Sequence, residues 1–126
     1  MVASQPSEAI RCFIDLFNAG NLDGLMADCY DDDIVLLVPG SEPVAGKDGV
    51  RKVLEGFLAM NGKMSLLGST QVVSGDIAMS SDHWRLEPAG GDAMEGQTSD
   101  VLRRQGDGSW KYLIDSPFGP AAIQPV

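Results

Sequence analysis

The chain carries a single histidine, His83, a side chain whose ordinary pKa lies near neutrality. Set opposite a buried carboxylate, it could act as a general base with its tautomer held by that carboxylate. Asp100 and Asp115 are the carboxylates in question. Desolvated, either would have a raised pKa and could donate a hydrogen bond to a carbonyl or enolate oxygen. Each residue also has a plainer reading. A lone strand histidine serves packing as readily as catalysis. Asp100 could form a buried ion pair with Arg85 or Arg103. Asp115 could close the last turn of the chain through an Asx hydrogen bond. Other chemistry is set aside on spacing. Asp31, Asp32 and Asp33 have no further carboxylate or glycine at loop-ligand distance and read as a solvated turn, not a metal site. Gly40–Pro43 lacks the glycine spacing and lysine of a phosphate-binding loop. Cys12 and Cys29 lack metal-ligand spacing and are expected to be reduced, buried apolar residues. Arg103 and Arg104 read as a solvated strand edge. No metal and no cofactor is expected.

The elements that must position these groups follow from periodicity. Ile10, Phe13, Ile14 and Phe17 form one helical stripe, opened by Ser7 as N-cap and ended by Gly20. Asn21 caps a shorter helix carrying Leu22, Leu25, Met26 and Cys29. Residues 34–38 form a short apolar strand, and Val50, Val53, Leu54, Phe57 and Leu58 mark a third helix stopped at Asn61-Gly62. Four strands follow at 64–73, 77–86, 94–104 and 110–114, joined by turns at 74–76, 88–92 and 105–109. Helices first and strands later mean an α+β fold with a mostly antiparallel sheet. The 126 residues suit a single domain over 1–126, with a loosely held tail at 119–126.

Nine Lys and Arg against eighteen Asp and Glu leave a net charge of −9, with 44% apolar residues. That charge argues against nucleic acid and against anionic membrane surfaces as partners. No apolar run approaches the ~20 residues of a membrane span. The opening residues lack a basic segment followed by an apolar one, so no secretory leader is expected and the cytoplasm is the expected compartment.

Asn18–Leu25 (NAGNLDGL) and Asp32–Gly46, with its GSEPVAG end, are similar to the ketosteroid isomerase segments leading to and past the active-site strand. Asp100–Trp110 (DVLRRQGDGSW) followed by Ile114–Gly119 (IDSPFG) resembles the closing strands of uncharacterised isomerase-like proteins. From Ser7 to Gly119 the chain thus resembles the nuclear transport factor 2-like superfamily, which includes ketosteroid isomerases and SnoaL-like cyclases. The resemblance implies a cone in which a curved sheet wraps the helices around a pocket. The isomerase chemistry does not carry over whole. The position of the proton-shuttling Asp is Leu37 and that of the hydrogen-bonding Tyr is Phe13; the neutral carboxylic acid alone is kept, as Asp100. Ketosteroid isomerase activity is therefore not expected.

Register against the family, with alternation along each strand, places Met79, Ser81 and His83 on the pocket side and Ala78, Ser80, Asp82 and Trp84 outside. It places Gly96, Thr98, Asp100 and Leu102 inside on the next strand, and Leu113 and Asp115 on the last. The expected catalytic set is His83, Asp100 and Asp115. The expected lining is Phe13, Phe17, Tyr30, Leu37, Phe57, Met79, Ser81, Thr98, Leu102 and Leu113. The reading is a pocket protein for a small apolar ligand, with cofactor-free isomerase, cyclase or dehydratase chemistry on a carbonyl compound. The alternatives are a non-catalytic binding protein or a dimeric interaction module. Trp84, Tyr112 and Ile114 on an apolar outer sheet face would support a homodimer.

Overall fold

The computed structural model describes residues 2–121 and 124–126. A short 3-10 turn at Pro6–Glu8 leads into α1 (Ala9–Asn18). Ser7 does not cap it; Ser4 instead donates from its backbone N–H to Glu8 Oε2 at 3.0 Å. Gly20, at φ +68°, ends the helix in a left-handed conformation that glycine adopts without steric cost. Asn21 caps α2 (Leu22–Gly24) by accepting from the Gly24 N–H at 2.8 Å. The helix continues as a π-helical turn over Leu25–Cys29. Then come β1 (Tyr30–Leu36), β2 (Val44–Ala45), α3 (Lys47–Leu58), β3 (Lys63–Ser74), β4 (Ile77–Glu87), β5 (Met94–Gln97), β6 (Asp100–Arg104) and β7 (Trp110–Asp115). The strand expected over 94–104 is interrupted only at Thr98 and Ser99, because Ser80 opposite Asp100 and His83 opposite Gln97 keep one register.

The seven strands form one curled mixed sheet in the order β2-β1-β7-β6-β4-β3, with β5 beside β4. All pairs are antiparallel except β1 with β7. The helices fill the concave face. Leu25, Ile34, Val50, Leu86 and Leu102 are sealed there. Of the expected loose tail, residues 122 and 123 lie outside the described residues. Gly119 is tied back to Ser116, its N–H donating to the Ser116 carbonyl at 3.2 Å.

Two expectations are corrected by pairing. Asp31–Asp33 is not a turn but part of β1, and Asp31 is buried. Arg103 grips it through two nitrogens at 2.9 and 2.6 Å and reaches Asp33 at 2.9 Å, while Gln105 adds a donor at 2.7 Å. Arg103 is thus a strut from β6 to β1 across β7, not a solvated edge. Burial raises the Asp31 pKa, but hydrogen bonds from Arg103, the Asp33 N–H and Gln105 outweigh it and hold the carboxyl below its ordinary range. Its contribution to stability is present above the unfolded pKa and is lost as pH falls through the depressed folded value. Arg103→Met is expected to lower the melting temperature at pH 7 and to flatten the loss of stability below about pH 4. Equal melting temperatures at pH 7 would contradict the strut.

Candidate active site

Strand pairing decides which side chains meet the hollow. Directly paired residues share a face of a sheet, so Ser80 must follow Asp100 inward. Asp82 and Trp84 follow it, and Ala78, Ser80, Asp82, Trp84 and Leu86 are all buried. Met79, Ser81 and His83 consequently face away, the reverse of the expected parity. Met79 is 65% exposed. Ser81 Oγ donates to the Thr98 carbonyl at 2.7 Å. His83 lies on the outer surface, with Nε2 3.3 Å from Glu95 Oε2. It meets neither Asp100 nor Asp115.

A bulge sets the last strand. Leu102 pairs with Tyr112 but Val101 with Ile114, so Leu113 is an extra residue. Tyr112 and Asp115, three apart, therefore both face inward, and Leu113 leaves the lining. On β1 Tyr30, Ile34 and Leu36 face in, with an irregularity between Tyr30 and Val35 that leaves Asp32 exposed, so Leu36 lines the cavity where Leu37 was expected. Leu102 is on the inner face but sealed in the core.

The resulting cavity has a volume of about 60 Å³. Its walls include Phe13, Phe17, Tyr30, Phe57 and Thr98 from the expected set, together with Asp100 and Asp115. Trp84, Leu36, Tyr112 and Phe118 were not foreseen. Phe13 stacks on Phe17 at 5.9 Å and meets the rings of Tyr30 and Tyr112 edge-on at 6.3 and 6.4 Å. At the rim Trp84 donates from Nε1 to the Pro117 carbonyl at 2.8 Å, and Phe118 sits edge-on to it. Gly96 makes this possible, because a Cβ there would lie 2.6 Å from the Trp84 ring and 2.7 Å from the Pro117 oxygen.

At one end of this apolar wall stand the two carboxyls, hydrogen-bonded to each other. Asp100 is 3% exposed. Its Oδ1 accepts from the Ser116 N–H at 2.9 Å, and it also bonds the Thr98 hydroxyl, whose oxygen accepts from the Asp82 N–H at 3.0 Å. Asp115 accepts from Tyr30 Oη at 3.1 Å. Asp100 pairs with neither Arg85 nor Arg103, which bond Glu87 and Glu95, and Asp31 and Asp33, respectively. Burial, followed by the charge of Asp115, pushes Asp100 up to about 9 against the donors from Ser116 and Thr98. Burial also raises Asp115, to about 6, opposed by hydrogen bonds from Asp100 and Tyr30. Burial and then the Asp115 charge keep the Tyr30 phenol protonated. Both shifts run upward, and the two carboxyls titrate as one coupled pair that retains a proton near neutral pH.

Among the described residues no group of three His, Cys, Asp or Glu side chains is placed to hold a metal ion, and no helix is long and apolar enough to cross a membrane. A family model for the SnoaL-like domain matches residues 10–113. The chain belongs to that family. No curated protein sequence matches it. Among solved structures it is similar to a nuclear transport factor 2-like protein of unknown function from Pseudomonas putida, at 23% identity and TM-score 0.74, over 93% of this chain and 85% of that one. It is also similar to a candidate dehydratase from Streptomyces avermitilis (19%, TM-score 0.73, 91% and 92% covered). A candidate ketosteroid isomerase from Shewanella frigidimarina matches at 15% and TM-score 0.75, with 86% and 90% covered. These likenesses establish the SnoaL-like cone; chemistry has to be argued from the cavity.

Both carboxyls bind protons more tightly folded than unfolded, so their contribution to stability falls as pH rises from about 4, the unfolded value, toward about 9. Asp100→Asn preserves the shape and the donor that the neutral acid offers Asp115. The variant should gain stability over the parent as pH rises across this window, read as a flatter plot of melting temperature against pH. Parallel curves would contradict the shared proton.

Proposed function

We propose that this SnoaL-like protein binds a small apolar carbonyl compound and moves a proton on it without a cofactor, as an isomerase, cyclase or dehydratase does. The observation carrying this reading is the pair Asp100 and Asp115 at the end of a cavity otherwise walled by aromatic and aliphatic side chains. The two environments separate the roles. Asp115, ionised above about 6, is the base that accepts a proton from carbon α to a carbonyl. Asp100, neutral below about 9, is the acid whose one O–H turns from Asp115 to the oxygen on which enolate charge develops, as Asp115 takes its proton from carbon. Tyr30 orients Asp115 through its hydrogen bond. The apolar wall excludes water and strengthens each of these interactions. His83 has no part, because its ring lies on the opposite face of the sheet. With leucine at 37 and phenylalanine at 13, steroid isomerisation by the superfamily's usual constellation is not proposed.

A direct test follows deuterium incorporation into the methyl group of acetophenone in D₂O by NMR. The wild-type protein is expected to accelerate exchange, and Asp115→Asn to slow it by about 10²–10⁴-fold. His83→Ala should match wild type. The rate should rise with pH through about 6 as Asp115 ionises and fall through about 9 as Asp100 loses its proton. Exchange unaffected by Asp115→Asn would remove the catalytic role and leave a binding protein.

A homodimer through the outer sheet face is part of the same reading, on a different set of residues from those first expected. Trp84 and Tyr112 face inward, but Val72 pairs with Met79, Met79 with Val101, Val101 with Ile114 and Ile114 with Val35. This apolar row crosses five strands on the convex face, with Val72 70% exposed. Such a surface on a chain of charge −9 favours self-association of its neutral part. The wild type is expected to elute as a dimer at micromolar concentration and Met79→Lys combined with Val72→Lys as a monomer. A monomeric wild type would contradict the dimer.

A further inference from the structure

The cavity contains one buried side-chain oxygen that nothing among the described residues satisfies. Tyr112 is 3% exposed, and its hydroxyl is the buried side-chain oxygen left without a hydrogen-bond partner among the described residues. Its counterpart Tyr30, paired with it across β1 and β7, spends its hydroxyl on Asp115. Buried phenols nearly always find a partner, since leaving one unbonded sacrifices its interaction with water for nothing. Tyr112 lines the cavity, and the Leu113 bulge turns it onto the same face as Asp115. Its pKa is raised by burial first and then by Asp100, which acts on it more strongly than any other charge. The two strands also place Tyr112 directly opposite Leu102, two residues from Asp100.

We propose that Tyr112 is the second donor to the ligand's oxygen, so that the compound bound carries a carbonyl or enolate oxygen held between the Tyr112 hydroxyl and the Asp100 acid. The proposal rests on the reading of the cavity given above and assigns its ligand-orienting residue. It also accounts for Phe13. The helix position that would have supplied a phenol carries a bare ring, and that ring lies edge-on to Tyr112 at 6.4 Å. Phe13 packs the ring that carries the strand's phenol. The specificity that follows is for an oxygen acceptor on a flat apolar body. An analogue without that oxygen would leave the buried Tyr112 hydroxyl unpaired and be rejected.

Tyr112→Phe separates this role from a structural one. Without ligand, removing an unbonded hydroxyl should leave the melting temperature unchanged or raise it; a clear fall would mean that the hydroxyl has a protein partner and would overturn the proposal. With acetophenone as the probe, the variant is expected to bind about three- to tenfold more weakly. Toluene, which lacks the oxygen, should bind both proteins alike. The infrared carbonyl stretch of bound acetophenone should lie at lower frequency in wild type than in Tyr112→Phe. Equal affinity and equal frequency in the two proteins, with the exchange reaction still dependent on Asp115, would remove Tyr112 and spare the carboxyl pair. A wild-type protein that leaves acetophenone unbound would remove the cavity reading and this assignment together.

Discussion

Two carboxyl groups buried side by side in an apolar pocket cannot both be charged without a large cost, because burial strips them of hydration and no Lys or Arg among the described residues is paired with either. Asp100 and Asp115 meet that constraint by holding one proton between them. The arrangement explains the surrounding polar groups. The Ser116 N–H and Thr98 support Asp100, Tyr30 supports Asp115, and none supplies a full positive charge that would make both ionised forms stable. An arginine in this position would abolish the difference between the two groups. Arg103, on the same strand as Asp100, is committed to Asp31 on the other face of the sheet. The segregation of the charged pair outside and the proton-sharing pair inside is what gives a strongly acidic protein an acid and a base in one cavity.

The helices and strands were legible because each carries its own periodicity. The stripe at Ile10, Phe13 and Phe17 and the stripe at Val50, Leu54 and Phe57 are local patterns, and the strands are bounded by turn residues. The family resemblance then fixed their arrangement, and Asp100 fell on the inner face as expected. What was not legible is pairing. Alternation tells which residues of a strand share a face but not which face that is. On β4 the choice made from family register was the opposite of the one that antiparallel pairing with Asp100 requires, and it carried His83 and Met79 outward together.

The last strand failed for a different reason. A bulge changes parity within a strand, and nothing in WKYLID distinguishes an extra residue at Leu113 from uninterrupted alternation. Asp115 was placed correctly and Tyr112 incorrectly on that single irregularity. A comparable extra residue at Leu67 lies between Leu66 opposite Trp84 and Gly68 opposite His83, leaving Leu67 51% exposed. The Leu113 bulge aims both Tyr112 and Asp115 into the cavity, which a regular strand would not do. Asp31 was misread for want of its partner: three adjacent carboxylates look solvated until Arg103 arrives from 72 residues away.

The central claim is that at neutral pH one of the two cavity carboxyls is an acid and the other its conjugate base. Carbon-13 NMR of aspartate Cγ, followed against pH and assigned with Asp100→Asn and Asp115→Asn, reads this directly. The account predicts that at pH 7 the Asp100 resonance has the position of a carboxylic acid while that of Asp115 has the position of a carboxylate, with coupled transitions near 9 and 6. Two resonances that both reach their ionised positions by about pH 5, as ordinary exposed aspartates do, would contradict it.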